Sequence, residues 1–431
     1  MLDKNFRNKI TDLIKREVVP AIGCTEPIAV ALAVAKAKEL LGECPSSIDV
    51  KLSGNIMKNA MGVGIPGTGM IGLPIAIALG ATIGRSSYGL EVLKDVNNEA
   101  VQRAKSMISE NRINLSHASD ASSNLYIHVT VKNDDGSRWA TVVVEEDHTN
   151  FTLLATNEGV INRSVSSNAD KAKEEDVELT LNLRTVWDYA TETPLEELEF
   201  ILDAKKLNQK AAELALKGKG MGHKVGKTIM DESHNIFGNT ALTKMLAYTS
   251  AACDARMAGE PVAVMSNSGS GNQGITITMP VVTYAESIGA SHEQTVRALA
   301  MAHLTSIYIK QSLGRLSALC GCVVASTGAS MALVYLMGGD YEKGSFAVKN
   351  MIATLTGMIC DGAKPSCSLK IASGVGTAYI STLLAMKGEC VTSDEGIIDD
   401  SVDSTIQNFS MIGREAMVET DRMVLRIMSG N

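Results

Sequence analysis

The cysteines are the most reactive groups of this chain, and two of them flank a turn. Cys360 and Cys367 lie in the stretch MICDGAKPSCSLK. The six residues between them include Gly362 and Pro365, which favour a chain reversal. The sequence therefore predicts that both thiols converge on one point, where they can ligate a metal centre.

Cys320 is the candidate third ligand. It lies two residues from Cys322, and two such positions on a helix point to different faces, so only one of the pair can join a common site. Zinc usually takes four ligands, often in pairs of short C-x-x-C spacing, and three widely spaced cysteines fit that pattern poorly. Thiolate ligation of a [4Fe–4S] cluster fits better, with one iron left open as a Lewis acid.

A further cysteine, Cys24, lies in the stretch PAIGCTEP. Thr25 is suited to an N-cap and Pro27 to a first turn, so a helix should begin here. The positive end of a helix dipole lowers the pKa of a thiol, which would suit Cys24 to act as a general base or as a ligand, with Glu26 as a neighbouring base. The alternative is a cysteine that only packs at the helix start.

A polar stretch, MSNSGSGNQGI, lies between two apolar segments. Small and amide side chains alternate with glycine there, a composition that exposes backbone N–H groups in a concave nest suited to a carboxylate. Because the flanks resemble buried segments, the polar groups need partners, which favours a binding site over an ordinary polar loop. The candidate substrate-binding residues are Asn267, Ser268, Ser270, Gly271 and Asn272.

Two other features have simpler interpretations. GTGMIG, residues 67–72, fits the glycine pattern of a dinucleotide site, but no clean strand precedes it and Pro66 and Pro74 flank it, which favours a glycine-rich turn. The remaining cysteines are expected to pack as small hydrophobic residues. They are Cys44, Cys253, Cys322 and Cys390.

Composition is typical of a mildly acidic protein with a real core. The 431 residues carry a net charge of -8 and are 45% hydrophobic, so the basic footprint of a nucleic-acid partner is missing. Two uncharged runs, residues 261–285 and 316–339, reach the length of a membrane span, but their Ser, Thr, Asn and Gly content favours buried segments. Because the first residues show no signal-peptide pattern, we expect a cytoplasmic protein without a membrane partner. The sequence does not decide whether the protein forms a homo-oligomer.

The helices and strands that must position the candidate site residues are predicted to form an α+β fold. Residues 1–44 are expected to form N-terminal helices that pack on the catalytic domain. Residues 45–193 are expected to form a mixed α/β domain, because short alternating runs over 123–165 predict an antiparallel β-meander and 165–180 a polar linker. Residues 194–431 are expected to form a largely all-α catalytic domain that binds the cluster.

Six blocks in order along the chain resemble one family. GCTEP, MKNAMGVGIPGTGMIGLP, DARMAG, SNSGSGNQGITITMP, RLSALCG and GMICDGAKPSCSLK are similar to the L-cysteine desulfidases, relatives of the iron–sulfur L-serine dehydratases. The resemblance implies an oxygen-sensitive [4Fe–4S] lyase that eliminates the β-substituent of a small L-amino acid. It further implies cluster ligation by Cys320, Cys360 and Cys367, and a functional role for Cys24.

The resemblance leaves the substrate open between two amino acids. L-cysteine would give pyruvate, ammonia and hydrogen sulfide, and L-serine would give pyruvate and ammonia. The spacing between the last two cysteines is shorter here than in the serine dehydratases. Under this hypothesis the substrate carboxylate docks on residues 267–274, and Cys24 or Glu26 removes the Cα proton.

Two other functions are compatible with the same cysteines. A non-catalytic iron–sulfur redox sensor would use them to respond to oxygen, although no basic recognition helix accompanies them. A metal-free lyase would rely on Cys24 alone for acid–base chemistry.

Overall fold

The computed structural model describes most of the chain, namely residues 2–119, 121, 123, 125–163, 179–218, 224–231, 238–314 and 317–429. The predicted polar linker at 165–180 lies outside these residues except for its last two positions. The predicted α+β fold class is confirmed: the large sheet lies in the N-terminal half, and the C-terminal half is mostly helical.

A six-stranded sheet forms the framework of the N-terminal half. Its strands are β2 (Ser47–Leu52), β5 (Ile113–His117), β6 (Tyr126–Lys132), β7 (Trp139–Glu145), β8 (Phe151–Thr156) and β9 (Gly159–Arg163). They are arranged in the order β5-β2-β6-β7-β8-β9, with β2 and β5 parallel and all other neighbours antiparallel. The meander predicted from alternating residues corresponds to β6 through β9.

Helices cover one face of this sheet. They are α2 (Thr25–Leu41), α3 (Gly54–Ala60), α4 (Leu73–Thr82) and α5 (Asn98–Ser109). Helix α2 is apolar nearly all round because it packs on β6 and β7 on one side and on α4 on the other. The preceding helix, α1 (Lys4–Glu17), instead buries Ile10, Leu13 and Ile14 in the core of the helical half. The first two helices therefore belong to different cores.

Two short pairs of strands complete the β-structure. Strand β1 (Pro20–Ile22) pairs antiparallel with β10 (Ala263–Met265), which joins the segment before α2 to the helical half. Strands β3 (Gly64–Ile65) and β4 (Met70–Ile71) form a small hairpin, and its turn contains Gly67 at φ +75°. GTGMIG is thus a glycine-rich turn, as predicted.

The C-terminal half is a packed set of helices. They are α6 (Leu183–Glu192), α7 (Leu195–Leu198), α8 (Leu202–Lys217), α9 (Val225–Met230), α10 (Ala241–Met257), α11 (Gly271–Ile288), α12 (His292–Leu313), α13 (Gly321–Leu336), α14 (Tyr341–Leu355), α15 (Cys367–Met386), α16 (Val402–Met411) and α17 (Met417–Ser429). Helix α13 lies at the centre and packs on α11, α12, α14 and α15. A 3-10 turn at Glu199–Ile201 lies between α7 and α8.

The two uncharged runs of the sequence form buried helices rather than exposed ones. They correspond to α11 and α13, whose side chains are mostly enclosed by neighbouring helices. By length and composition, one helix of the described chain, α15, passes the test for a membrane span, with 39% of its apolar window buried. Core helices of soluble proteins pass the same test, so this finding is weak.

Candidate functional site

Five helices begin around one cavity of about 490 Å³. These are α2, α3, α11, α13 and α15, and the cavity wall also includes residues 146–148 from the turn between β7 and β8. The N-terminus of a helix carries a partial positive charge and unpaired N–H groups. Their convergence makes this cavity favourable for anionic groups such as thiolates and carboxylates.

Two loops that pair briefly bring Cys320 beside Cys360. The residues just before these cysteines form an antiparallel bridge. The Cys320 N–H donates to the Met358 carbonyl at 3.0 Å, and the Cys360 N–H donates to the Ala318 carbonyl at 2.6 Å. These backbone bonds hold both thiols on the same wall of the cavity.

The turn predicted between Cys360 and Cys367 is present. Gly362 has φ +92°, and a Cβ atom there would lie 2.1 Å from the Lys58 carbonyl oxygen, so only glycine fits. After this turn Cys367 opens α15, and its thiol donates to the Gly362 carbonyl at 3.6 Å. All three cysteines of the predicted ligand set therefore line one cavity.

Cys24 lies at the predicted helix start, where it is the N-cap of α2, and its side chain is 2% exposed. The prediction of a lowered pKa is wrong. Burial raises the pKa of this thiol to about 12, although the Arg256 guanidinium acts in the opposite direction through its charge and a hydrogen bond. Cys24 therefore carries its proton at neutral pH. Glu26, two residues on, also lines the cavity.

Two thiols of the candidate ligand set, those of Cys320 and Cys367, also have raised pKa values. Burial raises the pKa of Cys320 to about 12, and the neighbouring Cys360 acts in the same direction. Burial raises the pKa of Cys367 as well. Binding of a metal centre would release these protons, because thiolates and not thiols are the ligands.

The donor set fits a cluster better than a single metal ion. In the part of the chain that the structure describes, no three His, Cys, Asp or Glu side chains are close enough to hold one ion. A single zinc ion needs thiolate sulfurs about 2.3 Å away, whereas a [4Fe–4S] cluster spreads its thiolates over several irons. Cys320, Cys360 and Cys367 line one cavity, so their thiolates could each reach a different iron of such a cluster.

Asn267, one of the predicted substrate-binding residues, does not line the cavity. Its Nδ2 donates to Nδ1 and to the carbonyl of His303, at 3.1 and 3.2 Å. Its Oδ1 accepts from the Ser268 hydroxyl and from Gln273 Nε2, both at 2.9 Å. Because all four of its hydrogen bonds are made inside the protein, Asn267 fixes the turn before α11.

Of the other predicted substrate-binding residues, three line the cavity and one does not. Ser268, Ser270 and Asn272 line the cavity. Ser268 has φ +48°, and the Ser270 side chain caps α11 by accepting from the Gln273 N–H. Gly271 does not line the cavity, because its backbone packs against the Arg256 side chain.

His303 supports this turn from below. It is fully buried, and burial lowers its pKa to about 3, so the imidazole is neutral. Its Nδ1 accepts from Asn267, and its Nε2 donates to the Thr278 hydroxyl at 3.1 Å. A neutral ring has one donor and one acceptor, and both are used here.

Several polar residues of the cavity wall were not predicted from the sequence. Lys58 is 3% exposed and forms an ion pair with Asp421 of α17. Lys370 forms an ion pair with Asp361 in the turn between the two cysteines. Arg256, at the end of α10, also lines the cavity. The only signal for Lys58, Arg256 and Lys370 was their presence in the blocks that carried the family resemblance.

The DARMAG block joins parts of the cavity that are distant in the chain. The Ser368 hydroxyl, next to Cys367, donates to Asp254 Oδ1 at 2.6 Å. Arg256 donates to the Gly23 carbonyl, beside Cys24, at 3.0 Å. The last turn of α10 thus connects the starts of α15 and α2.

The remaining cysteines differ in their surroundings. All eight cysteines are free. Cys322 also lines the cavity, although its thiol donates to the Lys370 carbonyl at 3.2 Å. Cys253 is fully buried, Cys390 is partly buried, and Cys44 is exposed, so the expectation of a packed residue is wrong for Cys44.

The fold and this thiol-lined cavity agree with the sequence comparisons. Residues 87–426 match the family described as serine dehydratase alpha chain. This chain belongs to that family, whose name denotes a lyase of the serine dehydratase type.

Relatives are similar over almost the whole chain. A UPF0597 protein of Bacteroides thetaiotaomicron is 58% identical over 425 residues, covering 98% of both chains. A UPF0597 protein of Bacteroides fragilis is 57% identical over 99% of both chains. A more distant UPF0597 protein, from Oleidesulfovibrio alaskensis, is 44% identical over 98% of this chain and 97% of its own. Their names give no substrate.

Proposed function

We propose that this chain is a [4Fe–4S]-dependent lyase that converts L-cysteine into pyruvate, ammonia and hydrogen sulfide. The observation that carries the proposal is the meeting of Cys320, Cys360 and Cys367 on one cavity wall with Cys24. The family supports the coarser part, a β-elimination on a small hydroxy or thiol amino acid. A cytoplasmic location belongs to the proposal, because free thiols persist in a reducing compartment.

Cys320, Cys360 and Cys367 would hold the cluster. When bound there, a cluster with one iron free of protein ligands supplies a Lewis acid for the leaving group on the β-carbon. The positive ends of α13 and α15 would stabilise the negative charge of the ligating thiolates.

We assign removal of the Cα proton to Glu26 rather than to Cys24. A thiol with a pKa of about 12 carries its proton at neutral pH and cannot accept another. Glu26 lines the same cavity from the first turn of α2. The Cα–H and C–S bonds break, and 2-aminoacrylate and sulfide form. Water then hydrolyses the imine tautomer of 2-aminoacrylate to pyruvate and ammonia.

Product analysis under anaerobic conditions tests this function. The reconstituted protein should release pyruvate, ammonia and sulfide from L-cysteine in equal amounts. Glu26→Gln should lose at least about 100-fold in kcat while keeping its iron, since a general base contributes about that much. Cys24→Ser should retain more activity than Glu26→Gln. The reverse order would assign the proton transfer to Cys24.

L-serine is the second candidate substrate, because the family is named for serine dehydratase. It would give pyruvate and ammonia without sulfide. Comparing kcat/KM for L-serine and L-cysteine on the same preparation decides between the two. A protein that binds iron but releases no pyruvate from either amino acid would instead fit a non-catalytic sensor.

A further inference from the structure

Arg256 differs from other cations of the cavity wall. Lys58 and Lys370 each have a carboxylate partner, Asp421 and Asp361 respectively. Arg256 is 7% exposed, yet within the described part of the chain it forms no ion pair with a carboxylate. Burial of a charge without a partner is costly, so such a charge indicates a missing anion.

The hydrogen bonds of Arg256 go to neutral groups. One terminal nitrogen donates to Asn272 Oδ1 and the other to the Gly23 carbonyl, each at 3.0 Å. Its Nε is buried and has no hydrogen-bond partner among the residues that the structure describes. A guanidinium has five N–H donors, so these two bonds and the hydrogen bond to the Cys24 thiol hold the group in place and leave donors for a ligand.

The start of α11 adds positive potential beside Arg256. The guanidinium packs against Gly271, the first residue of α11, where a Cβ atom would lie 2.4 Å from Nε. A cation at the positive end of a helix is unfavourable unless an anion lies between them. The neighbouring Cys24 does not supply that anion in the resting protein, because burial raises the pKa of its thiol.

We infer that Arg256 binds the α-carboxylate of the amino-acid substrate, and that it makes the site specific for substrates with a free carboxylate. The inference rests on the proposed elimination reaction for the identity of the substrate. It moves the carboxylate site from the 267–274 turn to the end of α10. The turn then contributes Asn272, which orients the guanidinium, and the N-terminus of α11.

Kinetics with a substrate and its amide test this role in the reconstituted protein. The wild type should use L-cysteine and discriminate strongly against L-cysteinamide, which lacks the carboxylate charge. Arg256→Gln should raise KM for L-cysteine about 100-fold, the loss expected for charge-assisted hydrogen bonds, and should abolish the discrimination. Arg256→Lys should have a KM between those of the wild type and Arg256→Gln, since lysine keeps the charge but not the paired N–H donors of the guanidinium. Arg103→Gln, an exposed arginine on α5, is the matched control.

Binding of L-alanine gives a readout that needs no turnover, because this amino acid has a carboxylate but no leaving group. Calorimetry should show weaker L-alanine binding to Arg256→Gln than to Arg103→Gln at equal iron content. Unchanged KM, discrimination and L-alanine binding in Arg256→Gln would overturn the inference, as would a change confined to kcat and its pH profile. The wild type could show no elimination and still bind L-alanine more tightly than Arg256→Gln does. In that case the proposed reaction fails and the carboxylate site stands.

Discussion

The pH dependence of stability offers a quantitative test of the turn beneath the site. His303 is fully buried and its pKa is lowered to about 3, against about 6.5 in an unfolded chain. A lowered pKa stabilises the fold above pH 6.5, and this stabilisation is lost as the pH falls toward 3, because only the unfolded state then takes up the proton. Each pH unit below 6.5 costs about 1.4 kcal/mol. From pH 7 to pH 5, the loss due to His303 should be about 2 kcal/mol.

Urea denaturation at pH 7, 6 and 5 measures this loss. His303→Asn should be less stable than the wild type at pH 7, but its free energy of unfolding should fall by about 2 kcal/mol less on going to pH 5. His292→Asn is the control, because the His292 side chain is 60% exposed, and it should keep the wild-type slope. Equal slopes for the wild type and His303→Asn would refute a neutral, water-excluded imidazole beneath Asn267.

Two further comparisons of variants test the cavity wall. Asp421→Asn should lower the free energy of unfolding by about 3 kcal/mol in urea titrations, because it leaves buried Lys58 without its partner. Lys58→Met should lower it less, because the Asp421 side chain is 29% exposed and can hydrate. An equal loss of unfolding free energy in Asp421→Asn and Lys58→Met would refute the idea that Lys58 depends on the ion pair more than Asp421 does. Gly362→Ala should abolish iron binding, because φ is +92° there and a Cβ would lie 2.1 Å from a backbone oxygen. Gly388→Ala is the control and should retain its iron, because Gly388 has a similar φ of +82° but no atom within reach of a Cβ. Iron retention in both variants would contradict the tight turn.

The features that the sequence predicted well are those with a local signal. The β-meander was predictable because its strands alternate and are bounded by turn residues. The turn between Cys360 and Cys367 was predictable because glycine and proline restrict the backbone there. Strand β5 was missed, since its parallel partner β2 is distant in the chain and leaves no mark on the five residues of β5.

The features that the sequence did not predict depend on burial. The position of Cys24 at a helix start was predicted correctly, but its pKa was not, because desolvation outweighs the favourable charges around it. Asn267 was expected to contact substrate, yet its hydrogen bonds with His303, Ser268 and Gln273 use its amide completely. Arg256 lies in an alanine-rich helix with no local pattern, and only the packing of α10 against α11 and the contact with Gly23 bring it to the cavity.

Metal analysis of cysteine variants tests the central claim most directly. After anaerobic reconstitution, iron, sulfide and the broad absorbance of the cluster are measured in the wild type and in Cys320→Ser, Cys360→Ser, Cys367→Ser and Cys390→Ser. The wild type and Cys390→Ser should each bind about four irons per chain, and the other three variants should lose the cluster. A full iron complement in those three, or a wild type that takes up no iron and sulfide, would contradict the account.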